Sequence, residues 1–216
     1  MAGIKFHGAI DVAIRHNHIY RCGSAAGLWL DWMAQGCRVT GNLMHDNSQD
    51  VFLEMQHGPI VVDNNLFLSP RAFSLNALGV AFAHNLIAGS INSMRGDKRS
   101  TPYLKAHATA LGGMHACPDG DSGDHRFCNN LFVAPCKLAS LDRAALPCLA
   151  SGNVYTKGTQ PLACDAGALA QSEFAPNVQL AERTDGWYVT LSAGARWRGE
   201  AKGRLATTAS LGRAHV

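Results

Sequence analysis

The chain has 216 residues, 47% of them apolar and 16% charged, with a net charge of +3. That is the composition of a folded domain of ordinary size, and it excludes a disordered chain. The basic residues are scattered with no run of five or six, which excludes the electrostatic footprint of a nucleic-acid binder, and no apolar stretch reaches the roughly 18 residues of a membrane-spanning helix. The first residues, MAGIKFHGAID, lack the charged-then-apolar pattern of a secretory leader. The cysteines, seven in all, are irregularly spaced and form no CxxC pair, so a zinc site of thiolates is not expected. The expectation is a cytoplasmic protein with mostly reduced thiols, in which a Cys117–Cys128 bridge is left open.

Along the chain an Asn recurs three residues after one apolar residue and two before another. It appears in Ile14-x-x-Asn17-x-Ile19, Val39-x-x-Asn42-x-Met44, Val62-x-x-Asn65-x-Phe67 and Phe82-x-x-Asn85-x-Ile87, at steps of 20–25 residues. Phe127-x-x-Asn130-x-Phe132 and Ala150-x-x-Asn153-x-Tyr155 repeat it. A step of this size admits a leucine-rich repeat or a parallel β-helix. The apolar positions are Val, Ile, Phe and Met more than Leu, which suits strands. The interval before each Asn also holds a second short alternating strand and no helical stretch. Asn tolerates the unusual backbone angles of a bend, and its side chain can bond to the Asn of the next coil. We therefore expect an all-β, right-handed parallel β-helix.

That second strand aligns as Gly3–His7, Gly27–Asp31, Asp50–Glu54 and Ala72–Asn76. Side chains alternate across a strand, so Ile4/Phe6, Leu28/Leu30, Val51/Leu53 and Phe73/Leu75 point inward. One outward row is Lys5, Trp29, Phe52 and Ser74. The next is His7, Asp31, Glu54 and Asn76. Neighbouring coils lie about 4.8 Å apart, which places the Asp31 and Glu54 carboxylates at roughly the 5–5.5 Å of a retaining glycosidase. Two like charges that close would raise the pKa of one partner and keep it protonated near neutral pH. Trp29 and Phe52 could offer a flat apolar face to a sugar ring. His7 would reach Asp31 or a sugar hydroxyl. His57, in the turn after Glu54, is near enough to join them. The plain alternative is two solvent-facing acids adjacent by chance. His16, His18, His45 and His84 flank the Asn bends and read as surface or ladder residues. Asp119, Asp121 and Asp124 in PDGDSGD have the composition of a calcium loop but lack its remaining ligands. No metal or other cofactor is expected.

The strings GLWLDWMAQGCRVTGNLMHDN, DVFLEMQHGPIVVDNNLFLSP and GDHRFCNNLFVAP resemble the β-xylosidases of glycoside hydrolase family 120. The likeness covers most of the chain to about Tyr155 and more loosely the rest. It implies a parallel β-helix that releases xylose from xylo-oligosaccharides with retention. The Asp of LDWMAQG would be the nucleophile, here Asp31, and the Glu before xxHGP the acid/base, here Glu54. The candidate substrate-binding residues, taken from the outward rows and the neighbouring turn rather than from the resemblance, are His7, Trp29, Trp32, Phe52 and His57. Members are much longer and carry an inserted β-sandwich, so the resemblance also implies a partial chain.

After the repeat, residues 90–126 read as a long polar loop that could roof the cleft, with His107, His115, Asp124 and Arg126 as candidate substrate contacts. Two further coils complete a β-helix region over 1–155. Residues 156–216 read as a short, irregular C-terminal β layer with an antiparallel pair formed by Gly186–Leu191 and Ala195–Trp197. Two other functions stay open. A β-helix polysaccharide lyase or uronate epimerase could use Lys5 and His7, although the paired acids would repel a uronate. A non-catalytic carbohydrate-binding solenoid or inactive fragment would need neither acid. The expected partner is a xylo-oligosaccharide or related small glycoside, with no nucleic acid or membrane. Homo-oligomerisation is left open.

Overall fold

The computed structural model describes residues 2–94, 100–104, 111–116, 123–133, 136–171 and 173–192; of 57, 58, 100–104, 111–116 and 171 it describes the backbone alone. The chain winds into a parallel β-solenoid. The first coil holds β1 (Ile4–His7), β2 (Ala13–Arg15) and β3 (His18–Tyr20), and the second β4 (Leu28–Asp31), β5 (Cys37–Thr40) and β6 (Leu43–His45). In the third coil the first two strands merge into β7 (Val51–Asp63), followed by β8 (Leu66–Phe67). The fourth repeats that plan with β9 (Arg71–Ala83) and β10 (Leu86–Ile87). Next come β11 (Ser90–Ser93), parallel to β9, and an antiparallel hairpin of β12 (Ser100–Leu104) and β13 (Leu111–Ala116). The solenoid resumes with β14 (Arg126–Cys128) and β15 (Leu131–Phe132), then β16 (Leu149–Ser151) and β17 (Val154–Thr156). It runs on past Tyr155, because β18 (Leu169–Gln171) pairs in parallel with β17. A second antiparallel hairpin, β19 (Val178–Arg183) and β20 (Gly186–Leu191), follows.

The repeat is therefore a β-helix and not a leucine-rich repeat: its coils are strand, bend, strand, and every inter-coil pairing is parallel. The first face stacks β1, β4 and the leading halves of β7 and β9, in the register Ile4↔Leu28↔Val51↔Phe73. That is the alignment expected from the apolar alternation. Leu28, Leu30, Val51, Leu53, Phe73 and Leu75 have no exposed surface. Each such side chain contributes about 1.5–3 kcal/mol by leaving water. Inside the solenoid Phe67, Phe73, Phe82 and Phe127 follow one another with ring centroids 4.6, 5.0 and 4.7 Å apart. Phe82 and Phe127 stack as register partners on neighbouring coils, while Phe67, Phe73 and Phe82 meet edge-on across the solenoid interior.

The Asn positions form a continuous hydrogen-bonded ladder. The backbone N–H and side-chain amide of Asn17 both donate to Asn42 Oδ1; Asn42 does the same to Asn65, Asn65 to Asn85, Asn85 to Asn130 and Asn130 to Asn153. From Asn42 onward each side-chain amide also donates to a carbonyl of the preceding coil, such as Ile14 and Val39. Asp165 ends the ladder by accepting from Asn153 Nδ2 at 2.7 Å and from the Tyr155 hydroxyl at 2.9 Å. The left-handed backbone that the bend requires falls one residue earlier than the sequence suggested. It is adopted by His16, Gly41, Asn64, His84, Asn129 and Gly152, each just before a ladder Asn.

Strand β20 pairs antiparallel with β19; the Ala195–Trp197 segment expected to pair with it lies outside the described residues. Cys128 is a free thiol, so the bridge to Cys117 is not formed. Six cysteines, Cys22, Cys37, Cys128, Cys136, Cys148 and Cys164, are free. Asp119 and Asp121 also lie outside the described residues.

Candidate active site

Asp31 is the last residue of β4, and Glu54 lies one coil on, in β7. Leu30 pairs with Leu53 and Trp29 with Phe52, so both acids project from the outer side of the first face. Trp29 shares the outer side of β4 with Asp31 and reaches Glu54. Its indole Nε1–H donates to Glu54 Oε2 at 3.0 Å, and its ring packs on Phe52 with centroids 5.1 Å apart. The Lys5 ammonium sits 3.6 Å above the same ring and 2.9 Å from Asp31 Oδ2.

Asp31 is only 4% exposed. Its Oδ1 accepts the Trp32 backbone N–H at 2.7 Å, and its Oδ2 lies 2.9 Å from both Lys5 Nζ and His7 Nδ1. Burial alone would raise the pKa of this carboxyl. The Lys5 hydrogen bond, the Trp32 amide and the charges of Lys5 and His7 outweigh burial and hold it below the usual carboxylate range. The expected mutual repulsion is thus not what sets Asp31, because Lys5 brings a positive charge to its oxygen.

The backbone marks both acids. Between the pairs His7↔Asp31 and Ile10↔Gln35 the second coil gains one residue on the first, and between Glu54↔Asn76 and Gln56↔Ala77 the third gains one on the fourth. These bulges sit immediately after the carboxylates. Each contains a methionine with positive φ, Met33 at 71° and Met55 at 50°, a conformation uncommon for any residue but glycine. Bulges of this kind re-aim side chains and recur beside active sites.

The structure brings together Asp31, Glu54, His7, Trp29, Trp32 and Phe52. The Trp32 ring meets His7 edge-on, centroids 5.8 Å apart. His57 lies in β7, where its backbone pairs with Leu78, and its side chain is outside the described residues. His107 and the side chain of His115 are outside them too. Arg126 pairs with Ala81 on the second face, and the backbone of Asp124 is bonded to Leu146, so neither stands with the Asp31 group. The polar loop expected over 90–126 contains the β12–β13 hairpin, and β12 runs beside β7, the strand that carries Glu54. Sequence reasoning placed Lys5 in the outward row but gave it a role only in lyase chemistry. The signal available was its position one coil before Trp29. His18 and His45 are not plain surface residues: their Nε2 atoms lie 2.7 Å apart beneath Trp187 of β20.

No protein-family model and no curated protein matches the chain. A solved structure does: XylC in complex with xylose, 34% identical to this chain, with a TM-score of 0.74. The match covers 88% of this chain and 34% of XylC, so the chain spans about a third of that protein's length. In fold and in sequence the chain is thus similar to part of XylC, a family 120 β-xylosidase, in agreement with the resemblance carried by its LDWMAQG and HGPIVVDNNLFLS strings.

Proposed function

We propose that this chain carries the reacting carboxylates of a retaining glycosidase of the β-xylosidase kind, with Asp31 as nucleophile and Glu54 as general acid and base. One observation supports this above the others: the two acids project from one face of the solenoid, one coil apart. Coil spacing of about 4.8 Å suits the 5–5.5 Å that direct attack on an anomeric carbon needs, and leaves too little room for an intervening water. Asp31, held ionised, attacks that carbon while Glu54 gives its proton to the departing glycosidic oxygen. Glu54 then takes a proton from the water that displaces Asp31, and both groups return to their starting states. Trp29, Phe52, Trp32 and His7 surround the pair and supply flat faces and a hydrogen-bonding ring for a pentose, and the bound xylose of XylC supports a small sugar as ligand. A lyase would need free cations for a uronate carboxylate, whereas Lys5 and His7 are both held on Asp31.

The test compares Asp31→Ala with Glu54→Ala on xylosides of good and poor leaving groups, in the full-length protein if this chain alone is inactive. Activated aryl groups leave without protonation. Glu54→Ala should keep part of its activity on an aryl xyloside and give β-xylosyl azide when azide is added. Asp31→Ala should lose both substrates, with azide yielding at most the α-product. A reversed pattern would exchange the two roles. Unchanged cleavage in both variants would reduce the pair to a solvated surface feature.

A further inference from the structure

Lys5 touches both halves of the proposed pair. Its ammonium is 2.9 Å from Asp31 Oδ2 and 3.6 Å from the centroid of the Trp29 ring. The far edge of that ring holds Glu54 through a 3.0 Å hydrogen bond. A cation over an indole face is attracted by the ring and polarises it, which strengthens the N–H as a donor. Phe52 braces the ring from the next coil, so the indole has little freedom to turn away from Glu54. We propose that Lys5 is a positioning residue that ties Asp31 and Glu54 into one unit, gripping the first directly and the second through Trp29.

The proposal rests on the assignment of Asp31 and Glu54 as the reacting pair, and it concerns how they are held. Among the described residues the charged and titratable groups on Asp31 are Lys5 and His7 of β1, and Glu54 is reached through the Trp29 indole. His7 reaches the same Asp31 oxygen, but its ring turns edge-on to Trp32. Lys5 is the group that spans from Asp31 to the indole.

Lys5→Met and Lys5→Arg separate the tie from simple packing, since both keep a long stem and one keeps the charge. The Asp31 carboxyl is followed by carbon NMR during a pH titration, and the Trp29 indole N–H by its nitrogen–proton peak. In Lys5→Met the Asp31 midpoint should rise by about one pH unit, the lower end of what a neighbouring opposite charge does. The Trp29 indole peak should move as its hydrogen bond to Glu54 Oε2 loosens. Lys5→Arg should restore most of the Asp31 midpoint. In an active full-length form, the acid limb of kcat/KM on an aryl xyloside should move up with Asp31 in Lys5→Met. An unmoved midpoint with an unchanged indole peak would overturn the proposal, whatever the activity. If both spectral changes occur in a protein that cleaves no xyloside, the tie stands and the glycosidase reading fails. Lys5→Gln serves in place of the Met variant should that one not fold.

Discussion

Asp50 has no exposed surface, and three donors close round it: Ser69 Oγ at 2.5 Å, Asn47 Nδ2 at 2.9 Å and the Ser69 backbone N–H at 3.1 Å. Burial nevertheless dominates and lifts its pKa to about 6, while the Ser69 and Asn47 hydrogen bonds pull the other way. The folded protein thus binds this proton more tightly than the unfolded chain, whose ordinary value is 3.8. The stability tied to Asp50 is therefore full below about pH 4 and is lost as the pH rises towards 6. A displacement of this size corresponds to about 3 kcal/mol. Asp50→Asn removes the titration and sets a second donor against the Ser69 N–H, which costs a constant amount at every pH. Urea midpoints of parent and variant at pH 4, 5, 6 and 7 should show the parent's advantage shrinking by that amount as the pH rises. Parallel curves would mean that Asp50 does not titrate in this window. His125 contributes an opposite slope common to both proteins, because full burial pushes its pKa down to about 3. The comparison of the two curves cancels it.

At the scale of the element, the Asn ladder shows how position decides the effect of one residue type. Asn65 Oδ1 accepts two hydrogen bonds from Asn42, and its amide donates to Val39 O, Asp63 O and Asn85 Oδ1, all buried. Asn17 stands at the first rung, donating to Asn42 and to the exposed carbonyl of Arg15. Asn65→Ala should cost about 3 kcal/mol or more in thermal or urea unfolding, because it strands buried partners on both sides. Asn17→Ala should cost well under half of that. Equal costs would show that the ladder is not the source of the stability. This element was largely legible in the sequence. Side chains that repeat once per coil must stack, so the spacing alone predicts the ladder, and the Ile4, Leu28, Val51 and Phe73 register follows from the same rule. What stayed hidden depends on local backbone. The left-handed residue before each Asn is His, Gly or Asn by turn, with no common chemistry to announce it. Gln56–Pro59 reads as a turn, yet the chain crosses it inside the single long strand β7, with the mismatch absorbed by bulges at Met55 and after His57. The β12–β13 hairpin and strand β19 were missed because short antiparallel strands carry little signal beyond alternation.

Over the whole molecule, the solenoid lays residues from distant coils in rows, and a hairpin far along the chain returns to its first coils. Trp187 of β20 packs on His18, Tyr20 and His45, with ring centroids 4.7, 5.7 and 5.0 Å away. No periodicity could foretell this contact, since it joins a solenoid row to an element outside the repeat. The clasp contains its own titration. His18 and His45 place their Nε2 atoms 2.7 Å apart, which one proton between them satisfies and two do not. Burial, then the charge of His45, lowers the pKa of His18, and Glu182 of β19 opposes them. Asp46 bonds the far side of His45, and Asp50 feels its charge. A folded pKa held below the unfolded 6.5 means that the His18 contribution is present above that value and is lost as the pH falls through the folded one. Hydrogen exchange in Val178–Leu191 should therefore quicken relative to the solenoid strands as the pH drops below about 6, after correction for intrinsic rates. Trp187→Ala should make that exchange fast at every pH. His18→Gln, which keeps a polar side chain and removes the titration, should make it independent of pH. Exchange that stays slow in Trp187→Ala would show that the strand pairing of the hairpin, and not the tryptophan, holds it against the first coils.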